Sequence, residues 1–375
     1  MAINDSAPVP PPSAPAACPR CATVPADPAA AFCSVCGARL VGGAKGGGLG
    51  LQRIADNITD RLGLDRIEGF SARQLFSEVF KSRTPDELER YLAVGTPATT
   101  PALTEQMGQW PRPWLFLRAL AFALLIYAPL YFGWTHYRNV NVLPALIMVG
   151  SFAVPLATVV LFFELNTPRN VSFVRVVQLV MLGGAVSILI SLFLFDVTRL
   201  HRVLGAPAAG IIEELGKLAA LVALARFARQ EKYGYALNGL LFGACIGAGF
   251  AAFESAGYAL RIGLAQGSQS MIDNITTRGL LSPFGHIAWT AIAACALWRV
   301  HALGKSLAER LLQKSFLALL GVSMALHFIW NTSWRPPLML KYVLLGFIAY
   351  VVIFSLVQGG LNEVRDAARK QAAHS

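Results

Sequence analysis

The sequence predicts an all-α, polytopic membrane-helix bundle with a small cysteine-rich module at its N-terminus, and three observations carry that prediction. Of the 375 residues, 55% are hydrophobic and only 14% are charged, whereas a soluble globular chain carries about 25% charged residues. The charge-free residues fall into runs of about 20, the length at which a helix crosses a hydrocarbon core of about 30 Å. Four of the six cysteines, Cys18, Cys21, Cys33 and Cys36, crowd near the N-terminus. An ordinary soluble enzyme, a disordered chain and a fibrous repeat are excluded by these numbers.

Residues 1–17 are rich in Pro and Ala and lack the basic start and apolar core of a secretory signal, which predicts a cytoplasmic N-terminus. In 18–40 the knuckles CPRC and CSVCG set four thiolates where one structural Zn²⁺ can bind them tetrahedrally, with Gly37 permitting the turn after the second knuckle. A reducing compartment disfavours disulfides there. The stretch FCSVCGARL resembles the short zinc ribbons at the ends of many bacterial membrane proteins, and so small a module needs its metal to fold. Residues 41–50 read as a Gly-rich linker. Residues 51–113 read as a helical juxtamembrane segment in which Thr84, Pro85 and Glu87 make a capping-box start and Gly95 a stop.

Residues 114–362 hold the spans. Runs free of Asp, Glu, Lys and Arg extend from Ala119 to Tyr137, Asn139 to Phe163, Val176 to Phe195, Tyr233 to Phe253, Gly279 to Trp298, Ser315 to Trp334 and Tyr342 to Asn362. An eighth apolar stretch, Val203 to Ala225, contains Glu213, Glu214 and Lys217. Residues 363–375 read as a basic cytoplasmic tail. With the N-terminus inside, about 14 Lys and Arg flank the spans on the cytoplasmic side and about 7 on the other, so the positive-inside bias agrees with N-in, C-in and about eight spans in the cell membrane. The net charge of +11 is thereby absorbed by topology, and no nucleic-acid partner is expected.

Orientation permits a depth calculation. Counting at the helical rise puts Glu213 about 15 Å below the outer surface, Glu254 about 9 Å, His286 about 8 Å and His327 about 10 Å, with Asn331 shallower. An ionisable group at the centre of a span costs at least about 2.5 kcal/mol and marks a functional site by default. Lys217 stands four residues after Glu213 and three after Glu214, so it can neutralise one of them and leave the other as a base. His327 and Asn331 share a helical face and together can hold an oxyanion. Two chemistries fit: a Glu and His286 activating water, or His286, His327 and a Glu binding a catalytic Zn²⁺. No HExxH is present, and the metal-free version is favoured.

The motifs EELGK (213–217) and FESAGY (253–258), His286 and HFIWN (327–331) resemble the ordered set EExxK, FExxxY, H and HxxxN/D of the PrsW-type intramembrane proteases. Those in turn are similar to the CAAX prenyl endopeptidases and bacterial CAAX-like proteases. The resemblance spans roughly residues 115–340 and implies an endopeptidase acting on a peptide bond in or near a membrane-anchored protein substrate. By it, Glu213 matches the catalytic Glu, Glu214 its neighbour, His286 the water-activating His, and His327 with Asn331 the oxyanion or metal-side pair. Lys217, Glu254 and Tyr258 support them, with Glu254 and Tyr258 read as a hydrogen-bonded i,i+4 pair. Nothing in the resemblance covers the ribbon, for which a cytoplasmic partner is the expected role. The alternatives are a transporter, or a zinc-ribbon scaffold or sensor on an inactive protease-like bundle.

Three further expectations concern packing. Glu164, near Asn166 and Arg169, is expected at the membrane interface. His136, His201, His301 and His374 are expected to be solvated. The stripe Gly239, Gly243 and Gly247 is expected to bring the Glu254 helix against the Glu213 helix.

Overall fold

Apolar runs of this length can satisfy their backbone polar groups away from water only as helices, and the computed structural model is built of them. It describes residues 50–103, 110–225, 230–300, 306–334 and 336–374, with Ala17, Thr23 and Val24. The four ribbon cysteines and His301 lie outside the described residues. Ahead of the bundle come α1 (Gly50–Arg61), α2 (Ala72–Leu75) and α3 (Pro85–Leu92). The bundle follows as α4 (Leu115–Tyr137), α5 (Leu143–Leu165), α6 (Phe173–Gln178) and α7 (Gly184–Thr198), the last two joined by a π-helical turn at Leu179–Gly183. After the short α8 (His201–Leu204) come α9 (Ala209–Ala225), α10 (Ala236–Gln266), α11 (Ser268–Leu281), α12 (His286–Arg299), α13 (Leu307–Leu311), α14 (Lys314–Trp330) and α15 (Leu340–His374). Among the described residues there is no strand.

Among the described residues, six helical stretches are long and apolar enough to cross a membrane: Leu115–Tyr137, Val140–Leu165, Phe173–Thr198, Ala236–Gln266, Ser268–Arg299 and Leu340–Ala373. The expected count of eight adds α9 and α14, which have 17 residues each. Seventeen residues reach about 25 Å, somewhat short of a hydrocarbon core, and α9 also carries the three charges. Residues 363–374 continue α15 as helix, because no Gly or Pro interrupts them.

Helix α10 runs through the middle, buried along most of its length and packed against α5, α7, α11, α12 and α15. Its glycine stripe corrects the expectation stated above. A Cβ on Gly239 would strike Trp298, one on Gly243 the carbonyl of Thr290, and one on Gly247 the carbonyl of His286. The stripe therefore seats α12, whose facing surface is the small-residue run Thr290, Ala291 and Ala294, and not α9. Glycines set facing helices at close distance only where the partner is equally slim. Helix α9 instead packs between α7 and α14, with Gly216 against Ser191 and Gly210 against the backbone of His327 and Phe328. Replacing Gly247 with Val is expected to push α12 and its first residue, His286, away from α10. We expect a loss of about 2–3 kcal/mol, read as a lowered thermal midpoint in detergent.

Glu164 stands at the end of one membrane-length helix and beside the start of another, a place consistent with the interfacial level expected of it, but it is not solvated there. It is buried at 3% exposure and accepts hydrogen bonds from the amides of Trp114, Leu115 and Phe116 at 2.7, 2.8 and 2.9 Å and from the Tyr91 phenol at 3.1 Å. The carboxylate thus satisfies the orphan donors at the start of α4 and complements its dipole. Nothing at sequence level marks this capping role, because its partners lie 48 to 73 residues upstream. Burial pushes the Tyr91 phenol above its usual range.

The described part of 51–113 packs on the bundle. Trp110 donates from Nε1 to the Glu68 carbonyl at 2.8 Å and to Gln358 Oε1 at 3.1 Å, and Asn362 donates to Asp65 at 3.3 Å. Phe70, Trp110 and Phe354 close the contact with their rings. The capping box is formed, Glu87 N donating to Thr84 Oγ1 at 3.2 Å and Thr84 N to Glu87 Oε2 at 2.8 Å. Gly95 takes a φ of +89° and leaves no room for a Cβ against Val171 and Ser172, which accounts for glycine at that stop.

Candidate active site

Four helices converge on one polar cluster. Helix α9 supplies Glu213, Glu214 and Lys217 from its first half, α10 supplies Glu254, α12 begins at His286, and α14 presents His327 one turn before its end. Lys217 is wholly buried. It donates from Nζ to Glu214 Oε1 at 2.6 Å and lies 2.9 Å from His286 Nδ1, over the rings of Phe250 and Trp289. Glu214 Oε1 is shared with His327 Nδ1 at 2.8 Å. The Glu214 and Lys217 ion pair at 0–1% exposure offsets the cost that either charge alone would carry in an apolar bundle.

Hydrogen bonding assigns the tautomers. His327 Nδ1 is on the Glu214 carboxylate and carries the proton, so its Nε2 presents a lone pair. His286 Nε2 is on Glu254 Oε2 at 3.1 Å, so its Nδ1 presents the lone pair. Both of these nitrogens also face Glu213 Oε2, at 3.7 Å for His327 and 3.9 Å for His286, although His286 Nδ1 already has Lys217 Nζ at 2.9 Å. That Glu213 oxygen is buried and has no hydrogen-bond partner. One donor atom from each of Glu213, His286 and His327 lies within 4.8 Å of the others. Two neutral imidazoles and a carboxylate, each imidazole backed by a second carboxylate, form the donor set and outer shell of a divalent-metal site. The residues present therefore fit a metal.

The pairing expected between Glu254 and Tyr258 is replaced. Glu254 pairs with Arg278 of α11 and with His286, while Arg278 also donates from Nε to Ser255 Oγ at 2.9 Å. Tyr258 offers its ring face to the guanidiniums of Arg261 and Arg278, each 4.6 Å from its centroid. A guanidinium outcompetes a phenol for a carboxylate. Arg278, which by sequence is only one of the flanking charges of the far side, is thus a site residue that sequence reasoning missed. Trp289 is another: its ring stacks on His327 at 4.3 Å and meets His286 edge-on at 5.2 Å. Neither had a local signal, since each acts on a different helix from its own or lies in an unbroken apolar run.

The cluster opens into a cavity of about 1280 Å³ whose walls include Glu213, His286, His327, Asn331, Arg278 and Lys341. Asn331 lies at the C-terminal end of α14, with its amide on the His327 carbonyl at 3.2 Å. His201, expected in solvent, is exposed at the rim of this cavity with its ring 6.0 Å from Phe195, and His136 is exposed and stacked on Phe132. A smaller cleft of about 370 Å³ between α7 and α10, lined by Leu192, Phe195 and Phe253, also reaches Glu213 and Glu254.

A bundle of long apolar helices enclosing a carboxylate and imidazole cluster that can hold a metal is the architecture of a multi-pass membrane protein with a buried polar cluster. The family model described as PrsW family intramembrane metalloprotease matches residues 143–357, and the chain belongs to that family. No curated protein and no solved structure matches it.

Proposed function

We propose that the chain is an endopeptidase that hydrolyses a peptide bond in or near a membrane-anchored protein, with Glu213 at its centre. The observation that carries this reading is the buried Glu213 oxygen, without a hydrogen-bond partner and faced by two imidazole nitrogens. When bound to Glu213, His286 and His327, a divalent ion supplies Lewis acidity at the scissile carbonyl and a water of lowered pKa. The protein groups do the positioning. Glu214 keeps the proton of His327 on Nδ1, and Glu254, itself held by Arg278, keeps that of His286 on Nε2. Lys217 balances Glu214. Asn331, on the cavity wall, donates its carboxamide to the developing oxyanion. The family description and the carboxylate-backed histidines favour the metal reading over the metal-free one that sequence spacing favours.

A second reading rests on Lys217, whose ammonium lies 2.9 Å from the His286 lone pair that a metal needs. In that reading Glu213 takes a proton directly from water and no ion is bound. Metal content separates the two. The intact chain is expected to hold about two equivalents of zinc, one in a ribbon of Cys18, Cys21, Cys33 and Cys36. A variant with those four cysteines changed to Ser is expected to retain about one equivalent and to lose it when His286 is also changed to Ala. Retention of none in the Cys-to-Ser variant would establish the metal-free reading.

The topology that goes with this function has α9 and α14 as short spans, giving eight in all with both termini cytoplasmic, and the cluster in the outer half of the bilayer. The substrate chain reaches it through the polar cavity, its apolar helix lying along the cleft between α7 and α10. The ribbon recruits a cytoplasmic partner. Comparison of membrane proteins from cells with and without the gene is expected to reveal at least one that persists uncut in its absence, and finding none would sink the protease reading.

A further inference from the structure

Residues 76–83 turn back onto the first turn of α4. Arg118 donates from Nε and Nη2 to the Val79 carbonyl at 3.2 and 3.0 Å and also to the Lys81 carbonyl, and the Phe76 ring lies 6.1 Å from that of Phe116. Because α4 becomes a membrane-crossing helix at Leu115, this contact sets Phe76 and its neighbours level with the start of the hydrocarbon. There Phe80 is 92% exposed and Phe76 47%. Beside them a cleft is walled by Arg83, Arg90 and Arg112 over Tyr91 and Trp114. The guanidiniums of Arg83 and Arg118 stand 5.2 and 4.9 Å from the Trp114 ring. The acids of the cleft are already engaged, Glu78 with Lys81 and Arg83 at 2.7 and 2.9 Å, and Glu87 in its capping box. Arg83 Nε is buried and has no hydrogen-bond partner.

We propose that this cleft binds the phosphate headgroup of an anionic phospholipid, with Phe80 and Phe76 inserted among the acyl chains beside it. Guanidiniums bind phosphate oxygens through paired N–H donors, and Trp and Tyr suit the headgroup level. Aromatic side chains beside basic ones anchor a segment in the interface, the rings in the acyl boundary and the charges on anionic lipid. A zwitterionic lipid carries the same phosphate, but its ammonium cancels the charge that Arg90 and Arg112 would read, Arg83 being paired with Glu78 and offering only its unpartnered Nε. The site gives residues 51–113 a role that owes nothing to the peptide-bond chemistry: they fasten the head of α4 to one leaflet.

Native mass spectrometry of the full chain in detergent, titrated with phosphatidylglycerol or phosphatidylcholine, tests the headgroup site. The first phosphatidylglycerol is expected to be held at least about fivefold more tightly than phosphatidylcholine, and Arg112→Gln to weaken it about fivefold, the value of one basic residue at an anionic surface. Equal retention of the two lipids by the unmodified chain would overturn the proposal without reference to any variant. So would Arg112→Gln binding as the unmodified chain does. Displacement of the lipid by millimolar inorganic phosphate would assign the cleft to free phosphate and overturn it too. For the wedge, the full chain with Phe80→p-benzoylphenylalanine in phosphatidylglycerol nanodiscs is expected to cross-link to acyl chains on illumination, as does a control at Phe122 of α4, which is 66% exposed. Cross-linking at 122 and none at 80 would place Phe80 outside the membrane.

Discussion

Glu213→Gln is expected to abolish cleavage, by at least about a hundredfold, while leaving the amount of folded protein unchanged. The magnitude is the lower end of what a positioned acid or base contributes, and loss of a metal ligand would add to it. The change is nearly isosteric, and the replaced oxygen makes no hydrogen bond that would be lost. Glu213 also shares a cavity wall with Glu254 and a helix with Glu214, so the uncharged variant carries no like-charge repulsion there, and compared without metal it is expected to be at least as stable as the parent. Cleavage of a co-expressed single-pass substrate is measured beside the membrane level of the variant. His286→Ala should behave alike. Undiminished processing in both variants would show that the cluster is not the reaction centre.

Lys217→Met is expected to act in the opposite manner, on folding first. It leaves Glu214 buried at 2% exposure with His327 as its one remaining partner among the described residues. Removing one member of a buried ion pair costs about 3–5 kcal/mol because the other charge stays behind. The double variant Glu214→Gln with Lys217→Met removes both charges and is expected to recover more than half of that loss, the two sites being in contact and so non-additive. Thermal midpoints in detergent for the parent, the two single variants and the double variant give the cycle. A Lys217→Met protein as stable as the parent would mean that Lys217 is not the cation that holds Glu214.

How much of this was legible in the sequence follows from the distance over which each signal acts. The spans follow from counting, since an apolar run fixes its own helix and length. The depth count set Glu213, Glu254, His286 and His327 at similar levels because rise per residue is a local constant, and the fold brings these side chains into one cluster. Partner choice did not follow. Glu254 had a plausible mate four residues on in Tyr258, but its carboxylate goes to Arg278 and His286, 24 and 32 residues away. The glycine stripe announced a close helix contact without saying with which helix. The place of Glu164 at a span end was legible, but its task was not, since the amides that it caps belong to another helix about 50 residues away.

The sequence by itself determined that this is a helical membrane protein, which residues share a helix face, and which ordered motifs place it among the intramembrane proteases. These are properties of one helix at a time, set by a period of 3.6 residues and the thickness of a bilayer. The tertiary structure alone decided which carboxylate is bound to Lys217 and which faces the two imidazoles. It also decided that Arg278 holds the support of His286, and that residues 51–113 pack against α15 and the head of α4. The Glu214–Lys217 contact is local, three residues along one helix, but the others turn on contacts between residues 23 to about 300 positions apart, where helix periodicity carries no information and only the packing of one helix on another can choose among partners.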